Sequence, residues 1–313
     1  MTAPAPARTG LILAVSAYVL WGILPAYLKL LHDVPAVQVL AHRVIWSLLL
    51  LALVVVMLRR VAAIRAAARG RTLLLLAGSA TLIAINWLVY IWSVGHAHVL
   101  EASLGYFINP LVNVALGVAI LKERVDRVQL VAVAIAALGV VVMAAGGGGA
   151  VWISLTLAVS FGCYGLIRKV VAIDALGGLT VETLLLAGPA LAVIGWAQAS
   201  GSGAFGHDTR LDLLLVAAGA VTAAPLLLFA AAARRMRYAT LGLLQYIAPT
   251  LQLVQAVWLF GEPLRDYHIA AFALIWAGCA LYAAASLREA RRSRMERVAL
   301  GTVAAGGTRA DDR

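Results

Sequence analysis

Charge is scarce in this chain. Only 12% of its 313 residues are Asp, Glu, Lys or Arg, about half the share of an average soluble domain. Against that, 63% are apolar even with glycine left out. A soluble fold has too little interior to hide so much apolar surface, so the bilayer is the main solvent and the chain is a polytopic membrane protein. Cysteine is nearly missing: Cys163 and Cys279 both lie in apolar stretches, where a free thiol is a small hydrophobe, and two such residues make no disulfide scaffold. Enzyme signatures are missing too. There is no His-Glu-x-x-His, no Walker lysine loop and no Gly-x-Ser-x-Gly elbow, so the reading is not an enzyme, with no cofactor and no metal. An ATP-driven pump would need its nucleotide-binding unit on another chain.

What the chain has is long apolar runs. About 20 apolar residues span a bilayer as helix, and ten runs of that order can be marked: 11–31, 36–58, 73–95, 101–121, 128–146, 151–171, 179–199, 211–233, 239–260 and 267–287. The first outruns the core of a signal peptide and reads as a true span. The net charge of +11 would suggest nucleic acid in a soluble protein. Here it follows the alternation of the loops. One side collects Arg8, the Arg59–Arg71 group, Lys122 with Arg124 and Arg127, Arg168 with Lys169, the Arg234–Arg237 group and the arginines after residue 287. The other holds Lys29, Arg210 and Arg265. Cytoplasmic loops concentrate Lys and Arg, which places both termini in the cytoplasm and leaves no part for nucleic acid. The basic segment 288–313 reads as an orientation signal and disordered tail.

The chain also repeats itself. A shift of 139 positions lays Leu104 on Leu243, Ile108 on Ile247, Pro110 on Pro249, Val118 on Val257, Glu123 on Glu262 and Gly139 on Gly278; Tyr90 falls on Phe229. Trp21-Gly22 matches Tyr164-Gly165 at a slightly different offset. The expected architecture is all-α, two five-helix halves at 11–146 and 151–287. Because five is odd, the second half is inverted in the membrane, the construction of secondary transporters that rock one repeat against the other.

The run Leu100-Glu-Ala-Ser-Leu-Gly-Tyr-Phe-Ile-Asn-Pro110 resembles the RarD group of the EamA branch of the drug/metabolite transporter superfamily. So do His42-Arg43-Val-Ile-Trp46-Ser47, Asn86-Trp87, Tyr164-Gly-Leu-Ile-Arg-Lys169, and the stretch from Thr222-Ala-Ala-Pro225 to Gln245-Tyr246-Ile-Ala-Pro249-Thr250. The resemblance covers about residues 10–287. It implies ten helices in a 5+5 inverted arrangement, an inner-membrane permease that exports its solute, and a cavity lined chiefly by the third, fourth, eighth and ninth helices. The group's name is tied to chloramphenicol sensitivity, but a shared fold does not fix a substrate.

Matched helix interruptions are the best sequence pointer to a transporter's site, and Pro110 with Pro249 is such a helix-break pair. Their polar neighbours correspond as well: Tyr106 to Gln245 and Asn113 to Gln252. Tyr106, Asn109 and Asn113 share one helix face, and Gln245 and Gln252 share another. These faces either line the path or act as interhelical hydrogen-bonding glue. Arg43 lies about 12 Å into the second span at 1.5 Å per residue, a depth at which a charge faces a partner or an aqueous cavity. Two readings stay open: it binds a substrate carboxylate, or it forms a fixed ion pair with Glu101, whose depth matches. In the first, Glu101 titrates in proton coupling. Glu182 reads as a helix-start charge or a proton relay. Glu123 and Glu262 read as turn-fixing residues beside arginine. Trp87 beside Asn86, Tyr90, and Tyr18 one turn before Trp21 are aromatic candidates for a flat or amphipathic solute.

The expected function is therefore secondary-active export of a small organic solute by alternating access, with proton exchange as one coupling. The partners are the bilayer and that solute, either an amino-acid-like metabolite or an amphipathic molecule such as chloramphenicol. The alternatives are a membrane scaffold or assembly protein that retains the fold, and a passive channel.

Overall fold

A computed structural model describes residues 5–120, 122, 126–147, 150–233, 235 and 244–307. They are helical with no strand among them: α1 Ala5–Gly22, α2 Leu24–Lys29, α3 Ala36–Met57, α4 Val61–Ala67, α5 Gly70–Gly95, α6 Val99–Ala119, α7 Arg127–Gly147, α8 Val151–Val170, α9 Ala175–Ala199, α10 Thr209–Ala233, α11 Ile247–Trp258 and α12 Asp266–Gly307. Among the described residues nine helices are long and apolar enough to cross a membrane. The expected span 239–260 is described only from Leu244, with α11 as its helix. The first span is α1 and α2 together, joined at Ile23 where Pro25 enters the first turn of α2 and its missing N–H goes unused. The basic segment after residue 287, expected to be disordered, continues as helix to Gly307. Its run of Arg, Glu, Ala, Met and Leu contains good helix formers and no proline.

Helix starts repeat with the sequence. Ala36 and Ala175 open α3 and α9, Gly70 and Thr209 open α5 and α10, and Arg127 and Asp266 open α7 and α12, each pair 139 positions apart. Packing obeys the same relation, because the halves interleave. α3 packs on α9, α6 on α11 and α7 on α12, each a helix against its own counterpart. The remaining major contacts come as mirrored couples: α6 on α8 with α11 on α1, α5 on α8 with α10 on α1, and α3 on α10 with α9 on α5. Each half therefore completes the other, and most of the bundle's packing is between repeats.

Lipid offers little hydrophobic drive between helices, so close approach at small residues holds a membrane bundle. α7 and α12 meet at the equivalent glycines. A Cβ on Gly139 would lie 2.9 Å from the Ala271 carbonyl oxygen, and one on Gly278 would lie 2.6 Å from that of Ala132. Gly278→Val should cost about 1–3 kcal/mol by overpacking and lower the melting temperature of the detergent-purified protein. Gly188→Val, where a Cβ meets nothing within 4 Å, should leave it unchanged. Equal melting points for the two variants would refute this account of the seam.

Candidate functional site

Arg43, on the α3 face toward α10, is 4% exposed. Its Nε donates to Thr222 Oγ1 on α10 at 2.5 Å. Its guanidinium carbon lies 4.8 Å from the Trp87 ring centroid on α5, a cation–π contact that strengthens when desolvated. Nη1 is buried without a hydrogen-bond partner, as are the Tyr90 hydroxyl, Trp46 Nε1 and Asn109 Oδ1. Among the described residues, the ionisable groups that act electrostatically on Arg43 are the Tyr106, Tyr90 and Tyr27 hydroxyls, with no carboxylate among them. Tyr27 itself donates to the Leu214 carbonyl at 2.5 Å.

Asn86 braces one wall of this site. Its Nδ2 donates to the Leu157 carbonyl and to Ser160 Oγ on α8, both at 3.0 Å, and its Oδ1 accepts from the Tyr106 hydroxyl at 3.0 Å. The Tyr106 and Tyr90 rings meet edge-on at 5.5 Å. Arg43, Asn86, Trp87, Tyr90 and Tyr106 thus form one cluster, with α5 at its centre.

Glu182 lies elsewhere. The structure corrects its reading as a helix-start charge: Asp174 takes that role, accepting from the Gly177 N–H at 3.3 Å. Glu182 is two turns further in and 1% exposed. It accepts from Ser79 on α5 at 2.5 Å and from Tyr164 on α8 at 3.3 Å. Arg168 Nη1 approaches to 3.7 Å, an ion pair without a hydrogen bond. The guanidinium lies so close over Gly178 that a Cβ there would overlap it. The expected Arg43–Glu101 pair also does not form. Glu101 sits 3.5 Å from His98 one turn away, while Arg43 turns to α10 because Thr222 offers an acceptor inside the bundle.

Between α11 and α12, Glu262 does more than fix its own turn. Its two carboxyl oxygens accept from the backbone N–H groups of Val99 and Leu100, at 2.6 and 2.8 Å. These are N–H groups at the start of α6, which has no side-chain cap of its own. Burial pushes the Glu262 carboxyl up, the two N–H bonds pull it down, and nearby Glu101 raises it again; the net is about 7. Because the folded value lies above the ordinary one of 4.5, stability from this group is full below that value and is lost as pH rises through 7. The melting temperature of wild type minus that of Glu262→Gln should therefore fall between pH 4.5 and 8. A pH-independent difference would contradict this. Glu123, its repeat counterpart, lies outside the described residues.

The other sequence candidates spread more widely. Tyr18 and Trp21 pack with Phe229, with ring centroids 5.7 to 6.1 Å apart. Gln252 Nε2 donates to the Trp21 carbonyl at 3.2 Å, and its Oε1 is buried without a partner. Tyr246 stacks on Phe107, and Gln245 is half-buried in the turn before α11. Asn113 is exposed and lies toward Gly162 and Gly165 of α8. Asn113 and Gln252 thus each address the first helix of the opposite half. α6 continues as helix across Pro110. Pro249 falls in the first turn of α11, where its carbonyl accepts from Ser103 at 2.8 Å. Thr222, Ser79, Tyr164 and Arg168 were not expected in a site, although Thr222, Tyr164 and Arg168 lie in the runs that carry the family resemblance.

The profile of the EamA-like transporter family matches residues 8–145. The Protein RarD of Streptomyces exfoliatus is 47% identical, over 92% of this chain and 92% of its own. A Pseudomonas aeruginosa protein described as an uncharacterized transporter is 46% identical, over 93% of this chain and 98% of its own. A solved crystal structure superposes with a TM-score of 0.58 at 17% identity, covering 88% of this chain and 97% of its own, a likeness of fold alone.

Proposed function

The chain belongs to the EamA-like transporter family, among its RarD proteins, and from that membership we propose that it is a secondary-active permease of a bacterial-type inner membrane. Both termini are cytoplasmic, and a small organic solute leaves the cell by alternating access. The observation that carries this reading is a buried polar cluster with unused hydrogen-bonding capacity, Arg43 Nη1 and the Tyr90 hydroxyl, inside a bundle of interleaved inverted repeats. Buried polar groups are ordinarily satisfied. Intramembrane ionisable residues mark substrate and ion pathways, and the interleaving gives two related arrangements between which the halves exchange.

In this reading Arg43, Trp87, Tyr90 and Tyr106 contact the solute, and Asn86 holds Tyr106 in place. Tyr18, Trp21, Asn109, Asn113, Gln245, Tyr246 and Gln252 flank the path. Glu182 is the better placed carboxylate for proton coupling, since it is buried in the bundle while Glu101 sits by the outer loop. The test is counterflow in proteoliposomes with amino acids, short carboxylates, amphenicols and aromatic cations. Saturable uptake accelerated by internal solute is expected, with more than a tenfold loss in Arg43→Lys at normal folding. Non-saturable flux would establish a channel, and no flux for any solute with an intact fold would favour a scaffold.

A further inference from the structure

The same slot in the two halves holds a buried ion of opposite sign. Arg43 on α3 and Glu182 on α9 are 139 positions apart, each seven residues past its helix start. Each takes a hydroxyl bond from the third long helix of the other half, Thr222 on α10 or Ser79 on α5. There the likeness stops. Glu182 has a counter-ion from the protein, Arg168, and a further donor in Tyr164. Arg43 has no carboxylate near it among the described residues, only the Trp87 face and three tyrosine hydroxyls.

A lone guanidinium this deep is costly unless paired. Asn109 Oδ1 on α6 is an acceptor left unused, whereas the unused groups at the arginine itself offer donors. Arg43 Nη1 is a donor, and the Tyr90 hydroxyl has a donor to give. An amide or alcohol would bring donors of its own into that set. A carboxylate brings acceptors only and the missing negative charge, and its two oxygens match an arginine fork. The walls beside it are the faces of Trp87, Tyr90 and Tyr106, which suit an apolar or flat body.

We propose that the Arg43 cluster binds a small organic carboxylate, whose charge takes in the first half the place that Arg168 takes beside Glu182 in the second. The proposal rests on the permease reading but concerns binding, and it is tested without flux. Detergent-purified protein is melted with rising benzoate, phenylacetate or indole-3-acetate. The controls are the neutral amide of each acid and sodium chloride at equal ionic strength. A ligand that binds only the native state raises the melting temperature with concentration. The acids are expected to protect and the amides and chloride not. Arg43→Lys, which keeps the charge and loses the fork, is expected to raise the half-maximal acid concentration at least tenfold. Equal protection by acid and amide, no protection by any acid, or an unchanged midpoint in Arg43→Lys would each overturn it. If the variant does not fold, the acid–amide comparison on the wild type decides alone. A protein that binds acids and shows no counterflow refutes the permease and leaves this site standing. Counterflow of neutral or cationic solutes without acid binding does the reverse.

Discussion

Arg168→Met should be strongly destabilising, because it leaves Glu182 buried without a counter-ion. Removing one partner of a buried pair typically costs about 3–5 kcal/mol. The lower end is expected here, since Arg168 retains 15% side-chain exposure and its ion pair spans 3.7 Å. The second substitution, Glu182→Leu in the same chain, should recover much of the loss, since two apolar residues leave no buried charge. Thermal unfolding of the wild type, both singles and the double completes the cycle. Additive losses would mean that Glu182 is held by Ser79 and Tyr164 alone. Proton coupling at Glu182 would show separately: Glu182→Gln should keep solute exchange and lose its dependence on the pH gradient.

Asn86→Leu should be nearly as costly for a different reason. It removes two donated bonds to α8 and one accepted from α6. At about 0.6–2 kcal/mol per interhelical contact, the three together amount to roughly 2–6 kcal/mol. Tyr106 would then lose the bond that fixes its hydroxyl near Arg43, so flux should fall along with stability. Asn113→Ala is the opposite case. Asn113 is exposed and makes no hydrogen bond among the described residues, so its loss should leave the stability within about 0.5 kcal/mol of wild type. If Asn113→Ala destabilised as much as Asn86→Leu, the division between bracing and path-facing polar residues would be wrong.

The sequence by itself determined that this is a membrane bundle built of two inverted halves, for a physical reason. Backbone groups in lipid must be satisfied within each segment, so apolar runs translate directly into helices, and a repeat in residues becomes a repeat in helix starts. Arg43, Trp87 and Tyr106 were legible as candidates because charge and polarity at depth are costly enough to stand out.

Partnership was not legible, because depth along two helices does not say which faces meet. Arg43 and Glu101 matched in depth, yet the interleaving of the halves brings α3 against α10 and hands Arg43 to Thr222. The same packing carries Glu182 to Ser79, Tyr164 and Arg168. It also seats Glu262 on the start of α6, more than 160 residues away in the chain. Those contacts are long-range and side-chain specific. Only the tertiary structure could decide that one buried ion has a counter-ion and that its counterpart in the other half has none among the described residues.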